Sequence, residues 1–445
     1  MVKRPRSSGV AARPRHAAPV LLLRSALVGV LAGGLAVAFR WSIYVVDQAR
    51  LWLLAFGHGR PGWGWAIVPL LALGVGSLVG WLTVRFAPDA PGSGIPRVKE
   101  VLRGLGSMPW RSLLPFKFVG GALGIGAGLS LGLEGPTVQM GACAGLATGE
   151  VARATPESSH ELVTNGSGAG LAAVFNAPLA GFVFTLEELR HPLSAAAYSS
   201  TLAAVLCAVI VARALTGSLP SFEVRGYPPA PLESFPFVAL IGLAAGLLGV
   251  AFNKSLLGLD RLARSLSAIP RWLQPGLACA AIGLVAWWMP DATGGGHDVA
   301  QRLLSGGYQP GLALLIVLLV LKFATTVGSY GSGAPGGIFA PMLVLGTILG
   351  MIVGSLAQRW APELSPTPTA FAVLGMAAVF TASVRAPLTG ITLILEMTSE
   401  AGQLLSVCAA CLVAYLVAEA LGDRPVYDAL VEDDLARRGI AVTPE

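Results

Sequence analysis

Apolar runs recur along the chain at roughly 20–39, 64–86, 113–146, 163–186, 196–215, 235–257, 274–289, 311–328, 338–358, 370–395 and 403–421. A helix that crosses a bilayer needs about 20 apolar residues. Several runs are shorter or broken by glycine, and 113–146 is too long for one span. This pattern predicts an all-α, polytopic membrane protein with tilted, re-entrant and half-membrane helices. Non-helical backbone at that depth has to be buried in protein or line a wet cavity. The run 113–146 is expected to break at Gly132-Leu133-Glu134-Gly135-Pro136, as a loop carrying Glu134 and then a fresh helix begun by Pro136. Proline suits a helix start, where its missing N–H costs nothing. Glu134 is the only acid between Leu113 and Leu146. A carboxylate in such a run is expensive and marks a candidate functional site.

The pattern repeats. The segment from Lys117-Phe118 to Pro136 matches that from Lys322-Phe323 to Pro341, 205 residues later. Gly126, Gly128 and Gly132 align with Gly331, Gly333 and Gly337, and Gly141 with Gly346. Glu134 falls opposite Phe339. A second match, 209 residues apart, pairs Pro178-Leu179-Ala180-Gly181 through Glu187 with Pro387-Leu388-Thr389-Gly390 through Glu396. Two matches at nearly one offset predict two similar membrane halves, 18–225 and 232–425. They are joined by a linker at 226–231, preceded by a basic segment at 1–17 and followed by a short polar tail at 426–445. The repeat alone leaves parallel and inverted halves both open. Breaks at corresponding points of two halves point to a transport site near the midplane.

Composition narrows the class. The 445 residues are 54% hydrophobic and 12% charged, against about 25% charged in soluble domains. Part of the net charge of +6 comes from Lys3, Arg4, Arg6, Arg13 and Arg15, ahead of the first apolar run. That placement predicts a cytoplasmic N-terminus and argues against a nucleic-acid partner. The five cysteines lie in apolar runs, and the pair Cys408 and Cys411 has no second pair or histidine cluster beside it. They read as buried small residues rather than a metal or redox site. Glu134 has no clustered second acid, histidine or metal motif, so an enzyme is not expected, nor a metal or organic cofactor.

Three glycine loops end in proline: Gly92-Ser93-Gly94-Ile95-Pro96, Gly132–Pro136 and Gly337-Ile338-Phe339-Ala340-Pro341. Each would present a helix N-terminus, whose free N–H groups and partial positive charge attract anions. Three converging N-termini would make an anion site without a full positive charge, which suits an ion that must also leave. Ser93 can add a hydroxyl donor, and Ile338 and Phe339 backbone N–H donors.

These loops, with Asn176-Ala177-Pro178-Leu179-Ala180-Gly181 through Glu187-Glu188, Gly333-Ala334-Pro335-Gly336-Gly337-Ile338-Phe339-Ala340-Pro341, Arg385-Ala386-Pro387-Leu388-Thr389-Gly390 and Arg424-Pro425-Val426-Tyr427, resemble the signature motifs of the CLC family of chloride channels and chloride/proton antiporters. The resemblance runs from about residue 20 to 435. It implies an inverted repeat of two helical halves, a homodimer with one anion pathway per subunit, and a multi-pass protein of the bacterial inner membrane with both termini cytoplasmic. Chloride, protons and membrane lipid are the implied partners. By the same resemblance, Ser93 and Tyr427 are hydroxyl donors to a central chloride, Ile338 and Phe339 its backbone donors, Glu134 a protonatable gate that also exchanges protons outside, and Glu188 the internal proton-transfer acid. An acid at position 188 favours a chloride/proton exchanger, with a passive chloride channel of the same fold as the alternative. Ser93 also separates the chain from fluoride-specific members, which lack that serine, and from nitrate-preferring plant members, which carry proline there.

Glu187 and Glu188 should face about 100° apart on a helix, with Glu187 and Glu396 as repeated structural acids. Three basic features stay open. Leu133 stands where the family usually has a basic residue. Arg97 and Lys99 either draw anions to the inner mouth or pair with acids. Lys117 and Lys322 either line the pathway or snorkel to an interface.

Overall fold

The computed structural model describes residues 17–440, apart from 61, 190–194, 220, 225–230, 267, 364–366 and 400. The basic cluster Lys3–Arg15, nearly all of the 226–231 linker, and Arg190 and His191, beside which Glu188 reads in sequence as an alternative solvated acid at a helix end, therefore lie outside the described residues. The described chain is helical, with two isolated β-bridges between loops. The first half holds α1 (Ala17–His58), α2 (Gly64–Phe86), α3 (Ile95–Leu102), α4 (Trp110–Gly126), α5 (Glu134–Val151), α6 (Pro156–Phe175), α7 (Pro178–Phe184) and α8 (Ala195–Thr216). The second holds α9 (Phe235–Ser265), α10 (Gln274–Trp288), α11 (His297–Leu304), α12 (Leu312–Gly331), α13 (Phe339–Trp360), α14 (Pro368–Val384), α15 (Pro387–Thr398) and α16 (Leu404–Ala420). A last helix, α17 (Val426–Arg437), follows.

The helices pair one to one, α1 with α9 through α8 with α16. Two pairs of mates, α2 with α10 and α7 with α15, also pack against each other and run antiparallel. Gly80 of α2 lies against Trp272, just ahead of α10, Gly76 against Gly276, and Gly283 against Pro69, so one helix descends as the other rises. Both α7 and α15 behave in the same way, as their end contacts show below. Mates that cross the layer antiparallel are related by a two-fold axis in its plane, so the halves are inverted.

Six helices among the described residues are long and apolar enough to cross a membrane: α1, α2, α8, α9, α12 and α13. Others are too short. The eight-residue helices α3 and α11 and the seven-residue α7 span about 10–12 Å each at 1.5 Å per residue. The breaks have visible causes. Helix α6 ends on Asn176 at φ 55° and α14 on Arg385 at φ 67°, both left-handed, and a proline opens the next helix two residues later. A left-handed cap stops one helix, and proline pre-sets the start of another. The long run 113–146 breaks at Ala127–Leu133 as expected, but Glu134 is the first residue of α5 rather than part of the loop. Pro136 and Pro341 sit third in their helices and Pro96 second, still inside the turn that lacks N–H partners.

The core is formed by α5, α6, α13 and α14. Residues 370–384 of α14 are all buried. Gly141 and Gly166 face each other, as do Gly346 and Gly375, and a Cβ at any of the four would strike the opposite backbone. The sequence match of Gly141 with Gly346 thus marks two equivalent places where helix backbones touch, as small residues allow in membranes. Leucines of α1, α8, α9 and α16 face outward.

The tail expectation needs correcting. Residues 426–437 form α17, with Val426, Tyr427, Leu430, Val431 and Leu435 buried. The charged residues that make this segment look polar alternate with an apolar face at helical spacing, and that face packs on the membrane part.

Candidate functional site

The loop residues 334–337 are the hub. On one side Gly132 and Gly337 exchange both backbone hydrogen bonds, each 2.7 Å. On the other, Gly92 N–H donates to Ala334 O at 3.1 Å and Gly336 N–H donates to Gly92 O at 3.0 Å. All three proline-terminated loops are therefore stitched into one unit. Gly94 adopts φ 89° ahead of α3, a conformation that other residues strongly disfavour. Gly135 and Gly337 permit close approach: a Cβ on Gly135 would lie 2.6 Å from Ser93 O, and one on Gly337 would lie 2.9 Å from Gly135 N.

Lys117 and Lys322 hold this unit from behind. Lys117 is fully buried and donates from Nζ to Ala90 O at 2.8 Å and Gly92 O at 2.7 Å. Lys322, equally buried, donates to Gly294 O at 2.6 Å. Neither lysine lines a pathway or snorkels: each ties down the loop before a short amphipathic helix. The loop tied by Lys322, Gly294-Gly295-Gly296-His297, is the repeat mate of Gly92-Ser93-Gly94-Ile95. Gly296 has φ 82° before α11, as Gly94 has before α3. Sequence comparison missed this fourth loop because only its glycine spacing, and no proline, survives.

Around the unit stand five of the six residues singled out from sequence; the sixth, Glu188, lies on Lys99 of α3. Ile338 and Phe339 open α13 and are fully buried. The Phe339 ring rests 4.3 Å from that of Phe380 and 5.3 Å from that of Phe175. Ser93 precedes α3, and Tyr427 comes from the first turn of α17; both are buried. Neither hydroxyl oxygen makes a hydrogen bond of normal geometry among the described residues. Buried hydroxyls without partners are uncommon. Glu134 is 1% exposed, and its Oε2 accepts from Ala340 N–H at 3.4 Å, at the start of α13. No ion pair to Glu134 occurs among the described residues. The carboxylate therefore rests on a helix N-terminus with no counter-cation.

Two cavities approach this centre and share no lining residue. One, of about 380 Å³, lies on the α17 side and ends at Gly92, Ser93 and Gly94. The other, of about 580 Å³, ends at Leu133, Glu134 and Ala340. The space between them is closed by the stitched loops. Leu133 faces the second cavity, and the cations there come from other elements. Arg50 pairs with Asp47 and Arg302 with Asp291, while Arg40 is exposed and has no ion-pair partner among the described residues.

Glu187 and Glu188 part as their spacing predicts. The chain continues from α7 into a π-helical turn at Thr185–Leu189. Glu187 accepts from Leu388 N–H at 3.0 Å, Thr389 N–H at 2.7 Å and the Thr389 hydroxyl at 2.8 Å. Reciprocally, Glu396 accepts from Leu179 N–H at 2.9 Å and Ala180 N–H at 2.7 Å. Each acid, late in one helix, caps the start of its mate. Glu188 is 8% exposed and pairs with Lys99 at 2.6 Å. It is therefore no solvated helix-end acid. Lys99 also pairs with Asp428 at 2.8 Å, and Arg97 pairs with Asp89 and Glu100. Both basic residues after the first loop are thus committed to acids. Asp428 carried no sequence signal beyond its place in a charged tail.

A family model described as "Voltage gated chloride channel" matches residues 75–419. The chain belongs to that family. It is 38% identical over 429 residues to the H(+)/Cl(-) exchange transporter ClcA of Vibrio cholerae serotype O1 (strain M66-2), covering 93% of this chain and 90% of that one. It is 39% identical over 424 residues to the transporter of the same name in Cronobacter sakazakii (strain ATCC BAA-894), covering 94% and 90%. Among solved structures it resembles a slow cyanobacterial Cl-/H+ antiporter, with a TM-score of 0.90, 35% identity, and 96% of this chain and all of that one covered. The CLC resemblance of the sequence motifs and the membrane-helical architecture are both borne out.

Proposed function

We propose that this CLC chain is a secondary active transporter that exchanges chloride for protons, as its exchanger relatives do. It works as a homodimer in a bacterial inner membrane, with one pathway per subunit and the α17 side facing the cytoplasm. The observation that carries this reading is Glu134: a buried carboxylate without a cation among the described residues, resting on the backbone N–H of Ala340 in the first turn of α13. A carboxylate in that position occupies the place an anion would take. Protonation removes its charge and its claim on those donors, so chloride can replace it.

In the resulting mechanism chloride enters from the cytoplasmic cavity and sits between Ser93 Oγ, Tyr427 Oη and the N–H groups of Ile338 and Phe339. The lack of a hydrogen bond of normal geometry at either hydroxyl, among the described residues, supports their role as donors. Protons reach the centre separately, through Glu188 from the cytoplasm and Glu134 from outside. The stitched loops keep the two cavities from joining while Glu134 blocks the outer one.

Reconstituted protein in liposomes tests the coupling. A proton gradient is expected to drive chloride uphill, and Glu188→Gln to stop proton movement while chloride still flows. Chloride that only follows its own gradient would make the protein a passive channel of this fold.

A further inference from the structure

The surroundings of Glu188 pose a problem for any proton carrier. It is paired with Lys99 at 2.6 Å, and the two side chains are each 6% exposed. Neutralising one partner of a buried pair leaves the other charge uncompensated, which is strongly unfavourable. Protonation of Glu188 would leave Lys99 in that state unless a second anion stood ready. Asp428 is that anion. Its Oδ1 lies 2.8 Å from the same Lys99 Nζ. It also accepts from Arg103 at 2.9 Å. Its side chain is 30% exposed, so it reaches toward solvent while Glu188 does not.

We propose that Lys99 and Asp428 are positioning residues for proton uptake at Glu188, with Lys99 shared between the two carboxylates and passing wholly to Asp428 when Glu188 is protonated. This rests on the reading of Glu188 as the internal proton acid. No covalent step is added: one proton joins a Glu188 oxygen, and the ammonium of Lys99 keeps its charge throughout. The charged groups that face Glu188 are Lys99 from α3, Asp428 from α17 and its own neighbour Glu187. Glu187 is already committed to the start of α15. Asp428 faces Lys99 and Arg103; burial acts to raise its carboxyl, but these two cations outweigh it and hold it below the usual carboxylate range. Asp428 therefore stays an anion while Glu188 changes state. Tyr427 precedes it on the same turn, so one helix start carries both a site hydroxyl and the standing counter-charge.

The test is proton transport in planar bilayers, with pH varied on the α17 side. Asp428→Asn removes the competing anion and leaves Lys99 to Glu188 alone. The pH of half-maximal proton transport should then fall by about one unit. Lys99→Gln removes the cation, and the midpoint should rise by about as much. Asp428→Glu should restore the parent midpoint. Opposite shifts at two touching residues are not what loss of packing would give. Shifts in the same direction, or none, together with loss of proton transport in Glu188→Gln, would overturn the partner exchange and leave the role of Glu188 intact. Proton transport that survives Glu188→Gln would overturn that role, and the partner exchange with it.

Discussion

Ser93 and Tyr427 come from opposite ends of the chain, yet among the described residues neither buried hydroxyl makes a hydrogen bond of normal geometry. Each neutral hydrogen bond contributes about 1 kcal/mol net, and somewhat more to a charged partner. Replacing both, as Ser93→Ala with Tyr427→Phe, should weaken chloride binding by about thirtyfold or more, since two bonds come to over ~2 kcal/mol and 1.4 kcal/mol is a factor of ten. Calorimetric titration of the purified double variant measures this, and an unchanged affinity would remove the hydroxyls from the chloride site. At this scale the sequence was legible where a residue sat inside a recurring motif. Ser93, Glu134, Ile338 and Phe339 sit at loop–helix junctions whose glycine and proline neighbours announce them. Lys117 and Lys322 were located but misread, because their acceptors are carbonyls of Ala90, Gly92 and Gly294, distant in sequence. Asp428 was passed over because an acid in a charged tail has nothing to mark it until α17 folds back against α3. Leu133 was a puzzle only while a cation was sought beside it. The cavity it faces has Arg40 and Arg50, on α1.

Between residues and molecule lie the helix ends. Those of α7 and α15 show best how an internal repeat becomes a structure. Each helix is short, opens with proline after a left-handed cap, and would leave free N–H groups near the protein's edge. Glu396 satisfies two of those in α7, and Glu187 two in α15. An unpaired backbone donor costs about 1–3 kcal/mol. Glu187→Gln and Glu396→Gln should therefore each lower stability by about 1–3 kcal/mol, with transport coupling kept in the folded fraction. Thermal unfolding in detergent reads the first and gradient-driven uptake the second. A variant with full stability would deny the cap, and one with normal stability but no coupling would make that acid a proton carrier. The periodic match of Glu187 with Glu396 was visible in sequence, as was their shared structural character. Their exchange of partners was not, since it depends on the halves being inverted, which a one-dimensional repeat leaves open.

For the whole molecule, the perimeter is uneven. Long helices such as α1 and α9 present leucines to lipid along much of their length. The edge formed by α7 and α15 differs: these helices are too short to cross, and Glu187 and Glu396 there are only half-buried. Lipid cannot hydrogen-bond irregular backbone or satisfy carboxylates, so such an edge calls for protein cover. The flanking helices α8 and α16 carry Ile210, Leu405, Leu412 and Leu416, all more than half exposed apart from any partner. Two copies of this face would seal the short helices between four apolar ones, which suits the homodimer proposed for this chain. Because the two cavities and every proposed chloride donor lie within one chain, the pathway as proposed does not need the partner. Ile210→Trp with Leu416→Trp should therefore yield monomers by light scattering in detergent, and those monomers should still couple protons to chloride once reconstituted at low density. A dimer that persists would place the interface elsewhere, and monomers without coupling would mean that the second subunit takes part in transport.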